Sequence, residues 1–261
     1  STAKGVAPLV ALDAPMPGGA PVEPITVRDW EGRDIYRRTA GLAFLLAARR
    51  LGLGHLALGP SWTTGKLVTG VRAGEDRGRL ARDLTMQIAA IIAEGLPVRE
   101  ESWEVDAATA HFRDTGHAEV AALIESTTEH HVQLLTCGEV HMPAHGPALP
   151  STSMLTGLSV LALGDGLALD FGAPIRRELS RRPYDTLVLE SSAPRYGSEM
   201  TEAERAWLDL LGIRSVGAFN RVVVAGGARE LSRASEGFHE KRLACLADAI
   251  RSRGDVRVVL V

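Results

Sequence analysis

Cysteine is scarce in this chain: Cys137 and Cys245 are the two present in 261 residues, and they offer no disulfide framework. A chain of this length buries most of its apolar surface without disulfide or metal staples, so two free thiols fit a reducing, cytoplasmic setting. Lysine is nearly as rare, with Lys4, Lys66 and Lys241 the three among 29 basic residues. The resulting arginine bias suits phosphate recognition and equally follows from a GC-rich coding sequence. Charge of one sign is not in excess. A formal charge of −3 argues against a protein that grips nucleic acid mainly by releasing counterions. No apolar run approaches the roughly 20 residues that span a bilayer, so no membrane partner is expected. The first 20 residues lack a charged start followed by an apolar core, so no secretory leader is expected either. What is present is ordinary for a folded protein: 45% hydrophobic and 23% charged residues.

Along the chain, residues 1–24 are rich in Pro, Gly and Ala and read as an arm, so the N-terminal stretch 1–30 is set apart. Helices are predicted over about 34–50, 76–94, 107–112 and 118–125, with Gly95 and Pro97 stopping the second. Strands are predicted over 55–58, 66–71, 98–105, 131–136, 158–163 and 167–171. A three-proline loop follows the fourth strand. Beyond a basic stretch at 176–182 and a loop at 183–197, Thr201 and Glu204 form a capping-box pattern for a helix closed by Gly212. A long helix over about 228–253 and a terminal strand at 256–261 complete the chain. Strand and helix do not alternate regularly, so a doubly wound parallel sheet is not expected. An α+β sheet with helices packed on one face is expected instead, at 31–172, followed by a helical connector at 173–261.

Three patterns invite a chemical reading. Gly59-Pro-Ser-Trp-Thr-Thr-Gly65-Lys66-Leu67 resembles a phosphate-binding loop, but five residues separate the glycines where four are needed. Leu67 also stands where a magnesium-holding hydroxyl belongs, and a strand follows in place of a helix. The chain is therefore not expected to transfer phosphoryl groups on its own. His130, His131, Cys137, His141 and His145 form a cluster of metal-type side chains. The Cys137-x₃-His141 spacing would present two ligands to zinc, with another His pair completing four. The plain alternative is histidines solvated beside a polar pocket, and no metal is favoured or required. The same residues, or Ser151 with a His partner, would serve nucleophilic or acid–base chemistry, although no Gly-x-Ser-x-Gly elbow is present. Finally, the loop His145–Ser153 combines Gly146, which permits close backbone approach, with Pro147 and Pro150, which stiffen it. Ser151 and Thr152 add hydroxyls and backbone donors. Such a loop either contacts a ligand or is a rigid turn joining strands.

At this loop the chain resembles a family. His145-Gly146-Pro147-Ala148-Leu149-Pro150-Ser151-Thr152 is similar to the Gly-Pro-x-x-Pro-Ser-Thr-Gly stretch of bacterial uridine-kinase-like proteins. Those proteins carry, ahead of their kinase domain, a region similar to the editing domain of threonyl- and alanyl-tRNA synthetases. Gly32-Arg-Asp-Ile-Tyr-Arg-Arg38 looks like the family's opening segment, and Leu96-Pro97-Val98 before a Glu-rich strand is similar too. So are Trp207, Leu211-Gly212, Val216-Gly217, Asn220 and Gly237-Phe238-His239-Glu240-Lys241-Arg242, so that the likeness covers about residues 25–261. The family's terminal strand leads into its kinase loop, whereas this sequence stops at Val261. At the positions that match the His-x₃-His pair of the synthetase editing domains, this chain has no such pair. Their Cys and His flanking Gly-Pro are Ala144 and Ala148 here, and the Gly after Pro-Ser-Thr is Ser153.

The resemblance implies a synthetase-editing-like fold with a helical C-terminal extension. It implies a nucleoside- or nucleotide-recognition module, with Gly146, Pro147, Pro150, Ser151, Thr152 and Asn220 as ligand contacts. A kinase domain in cis or in trans, tRNA, or a second copy of the chain are the macromolecular partners it suggests. One rival is a stand-alone hydrolase or tailoring enzyme working in the editing-like cleft on an aminoacyl-tRNA, amino acid or nucleoside, with His131, Cys137, His141 and His145 as its catalytic groups. The other is a scaffold that pairs through its terminal strand.

Overall fold

Residues 40–48 carry no polar side chain, and a helix that is apolar on every side has to be buried. α1, Trp30–Arg50, obeys this: from Thr39 to Ala48 all residues but Leu45 are buried. Its entry is set by Asp29, whose carboxylate accepts from the Thr26 backbone N–H at 3.0 Å. That turn lays the Thr26–Val27 backbone directly over Gly32, where no side chain fits. In this computed structural model the described residues are 22–62, 64–164, 166–175, 202–213, 215–253 and 255, with isolated positions 9, 12, 15, 18 and 19. The expected terminal strand at 256–261, the basic stretch at 176–182, the loop at 183–197 and the capping residue Thr201 lie outside them.

β1, Ala57–Ser61, and β2, Gly65–Thr69, form a hairpin. α2, Arg77–Glu94, begins at Asp76, whose carboxylate accepts from Arg79 N at 3.0 Å, and ends at Gly95 with φ +65°. Its buried face is Ala81, Leu84, Ile88 and Ile91. β3, Val98–Glu104, leads into α3, Val105–Asp114, and α4, Ala118–Glu125; β4, His131–Cys137, and β5, Val140–Pro143, follow. A 3₁₀ turn at Thr152–Met154 precedes β6, Ser159–Leu163, and β7, Gly166–Asp170. The C-terminal helices are α5, Glu202–Leu211, α6, Val216–Val224, and α7, Ala228–Ser252.

The described residues are thus α+β, but they form two antiparallel sheets in place of one: β1-β2-β7-β6 and β3-β4-β5. Alternation along a strand says which residues share a face and nothing about which distant strand pairs with it. Here β2 reaches far ahead to β7, Val68 opposite Leu167, whereas β3 pairs with the next strand in sequence, Val98 opposite Cys137. Both sheets close on α1 and α2 through one core that includes Leu46, Leu84, Ile88, Leu135, Cys137, Leu167, Leu169 and Phe171.

Two elements differ from the sequence expectation. β5 occupies residues assigned to the three-proline loop: Gly138, at φ +58°, turns the chain back, and Pro143 ends an edge strand where a missing donor costs little. α6 was not expected; the Ser215 hydroxyl accepts from Ala218 N at 3.1 Å and starts it.

The chain divides into two compact units, one of Ser1–Val105 with Glu129–Glu199 and one of Asp106–Thr128 with Met200–Val261. In the first lie both sheets, α1 and α2. The described elements of the second are helices, with α4 packed against α6 and Trp207 stacked on Phe238 at 4.7 Å. No described helix is long and apolar enough to cross a membrane.

Candidate functional site

Pro143, Pro147 and Pro150 each remove a backbone donor, so the chain after β5 cannot run as a strand and must be held by other bonds. It is strapped to α1 and to the start of β3. Ala144 N still donates to Gln133 O at 2.8 Å. Gly146 then adopts φ +104°, a conformation glycine alone takes readily, and the Arg38 guanidinium lies 3.3 Å from where a Cβ would stand. Arg38 donates to the Pro147 carbonyl, and Leu149 N donates to the Thr39 hydroxyl at 2.9 Å. Val98 N donates to Pro150 O at 2.9 Å. Tyr36 closes the strap from the same helix, its hydroxyl donating to Thr156 O at 2.7 Å and accepting from Thr156 N at 3.1 Å.

The expected ligand residues of this loop divide accordingly. Thr152 is fully buried, its hydroxyl donates to Ile91 O and accepts from Leu96 N, both at 2.9 Å, and its N–H donates to Leu96 O. Both functions of that hydroxyl are taken by the fold. Ser151 caps the 3₁₀ turn, accepting from Ser153 N at 3.2 Å with the Ser153 hydroxyl 2.8 Å away. Pro147 and Pro150 present carbonyls that are already used, and Gly146 is exposed. Asn220 belongs to the helical unit, where its amide donates to the Ser126 hydroxyl at 2.9 Å and ties α6 to the end of α4.

Beside the strap, α1 carries Arg33, Asp34, Arg37 and Arg38 on the turns that precede its buried centre. Asp34 pairs with Arg37 at 3.1 Å, with both side chains more than half buried at 33% and 22% exposure. The Arg37 guanidinium lies over the Phe171 ring, 5.6 Å from its centroid. Burial lowers the pKa of Arg37 and of Arg38, with Asp34 opposing the change in both. Lys66 enters from β2. Register places it opposite Leu169, on the sheet face that also carries Val68 and Leu167. Burial, and then the charge of Arg37, lower the Lys66 pKa.

The metal-type side chains do not converge. In an antiparallel pair, directly opposed residues share a face, so His141, opposite Thr136, projects away from the face of Cys137. Cys137 is fully buried in the core and its thiol is pushed up by burial, the reverse of an activated nucleophile. His141 instead lies against Trp103, ring centroids 5.0 Å apart. His131 pairs with Glu104 at the other end of β4, about 20 Å from Cys137 at strand rise. His145 is exposed in the loop. The Cys137-x₃-His141 pair therefore cannot present two ligands to one zinc ion. Ala144 and Ala148 pack against the core and offer no donor. Among the described residues no group of three or more His, Cys, Asp or Glu is placed to hold a metal ion.

The segment resembling a phosphate-binding loop is the tip of the β1–β2 hairpin, closed by Trp62 N donating to Gly65 O at 3.0 Å. A Cβ on Gly65 would stand 2.8 Å from Leu169 O, so that glycine serves strand packing. The basic patch of α1 and β2 was missed in the sequence because its members are 29 residues apart at Arg37 and Lys66; a lysine placed in phase with Val68 on an apolar strand was the available signal. Comparison with protein-family models and with curated proteins found no match for the chain.

Proposed function

We propose that this chain is a nucleoside- or nucleotide-recognition module of the uridine-kinase-like type, with a synthetase-editing-like first unit and no phosphoryl transfer of its own. A kinase domain in cis or in trans would carry that transfer. One observation supports the reading best. Arg38 of α1 straps the Gly146–Pro147 loop, and the preceding residue of the same helix, Arg37, shares a half-buried cationic surface with Lys66. Such a surface suits the anionic end of a nucleotide. The hydrolase alternative needs His131, Cys137, His141 and His145 to act together, whereas β4 puts His131 at the opposite end from Cys137 and register puts His141 on the other face from Cys137. The scaffold alternative relies on residues 256–261, which lie outside the described residues.

Titration calorimetry with uridine, cytidine, UMP, UTP, ATP and threonine tests the proposal. Saturable binding of a pyrimidine nucleoside or nucleotide is expected. No saturable binding by any nucleoside or nucleotide would remove it.

A further inference from the structure

A lysine ammonium is strongly hydrated, and placing one on the inner face of a sheet without a counter-charge is costly. Lys66 is so placed. Its neighbours on that face of β2 and β7 are Val68, Leu167 and Leu169, all buried. Phe171 continues the pairing, its N–H donating to Thr64 O at 2.9 Å, so its ring lies diagonally across from Lys66 on the same face. Arg37 covers that ring with its guanidinium. Asp34, the carboxylate that faces Arg37, is held by it at 3.1 Å. Asp170 alternates to the opposite face of β7, where its carboxylate accepts from Gly172 N at 2.7 Å. Lys66 has no hydrogen bond or ion pair to any described residue, and Arg33 adds a further cation one helical turn before Arg37.

We infer that Lys66 and Arg37, with Phe171 as their apolar floor, form a subsite for a tetrahedral oxyanion, the phosphate group of a small phosphorylated ligand. The guanidinium is held by Asp34 and lies over the ring, so its charge has a fixed place; the ammonium adds a charge that no described residue neutralises. A phosphate is favoured over a carboxylate because two cations meet one ion here and a phosphate carries the greater charge with more acceptor oxygens. The subsite itself does not depend on the proposed function. That the phosphate belongs to a nucleotide does rest on that reading, and the two can fail separately.

Thermal denaturation of the full chain, with inorganic phosphate, UMP or uridine added, and of its Lys66→Met and Lys66→Arg variants, tests this. Phosphate and UMP should raise the melting temperature of the native chain. Lys66→Met should melt higher than the native chain without ligand, because it removes an uncompensated charge, and should lose the response to both anions. Lys66→Arg should keep that response. UMP affinity measured by calorimetry should fall at least tenfold in Lys66→Met. An anion response that is absent from the native chain, or equal in Lys66→Met, would overturn the subsite. A uridine response without a phosphate response would overturn it too while leaving the nucleoside reading intact. If phosphate acts as strongly as UMP and uridine does nothing, the subsite stands and the nucleotide reading fails.

Discussion

A hydroxyl that both donates and accepts inside a core is worth more than its single side chain, because removing it orphans two backbone groups. Thr152 is in that position, between Ile91 O and Leu96 N. Thr152→Val keeps the shape and strands both partners, so a loss of roughly 1–3 kcal/mol is expected. Urea denaturation should show a lower midpoint with an unchanged slope. Lys66 makes the opposite case, a side chain whose charge the folded state opposes. Its folded pKa lies below the ordinary value of 10.5, so between the two values the unfolded chain binds more protons than the native one. Stability from this group therefore rises as pH climbs through that window, and its cost is present in full at neutral pH. Lys66→Met should accordingly be more stable than the native chain near pH 7, with the gap closing as pH approaches 10.5. A gap that widened with pH would contradict the placement of this lysine.

Elements with strong local signals were legible in the sequence, and those defined by distant partners were not. α2 carries its own punctuation, Asp76 at the start and Gly95 at the end, and its apolar face repeats at helical spacing. The strand after Gly65 was also legible, and it is what sets this glycine–lysine segment apart from a phosphate-binding loop that opens a helix. β5 was hidden by Pro143, which sequence reasoning demotes from strands although an edge tolerates it. α6 was hidden because its reason is a contact elsewhere in the chain. At Gly217 a Cβ would stand 2.7 Å from Leu123 N and 2.8 Å from Ala122 C, so glycine lets α6 lie directly on α4. The candidate site was half legible: the glycine–proline loop stood out in the sequence, but the bonds of Thr152 and the approach of Lys66 to Arg37 needed the third dimension. Gly217→Ala should force the two helices apart at about 1–3 kcal/mol. Hydrogen exchange would localise the effect, with faster exchange in α4 and α6 and unchanged protection in α1.

At the scale of the whole molecule, the division into units does not fall at one point in the sequence. Residues 105–130 leave β3 and return to β4 at positions already paired, Glu104 opposite His131. α3 and α4 are thus an insertion at the tip of a hairpin, and they group with the C-terminal helices. Within that unit α4 buries Ala121, Ala122 and Ile124, with Gly217 of α6 packed against Ala122. Cutting the chain after residue 199 would strip α4 of its partner and leave that apolar face bare. Cutting there and also replacing 105–130 by an Asn-Gly turn would remove the face and close the hairpin with the connection its strands favour. The second fragment should be monomeric in size measurements and should melt in one cooperative step. The first should melt lower or associate through α4. If the simple truncation proved the more stable of the two, α3 and α4 would have to contribute to the core of the sheet-bearing unit, and the insertion would be part of that unit's fold.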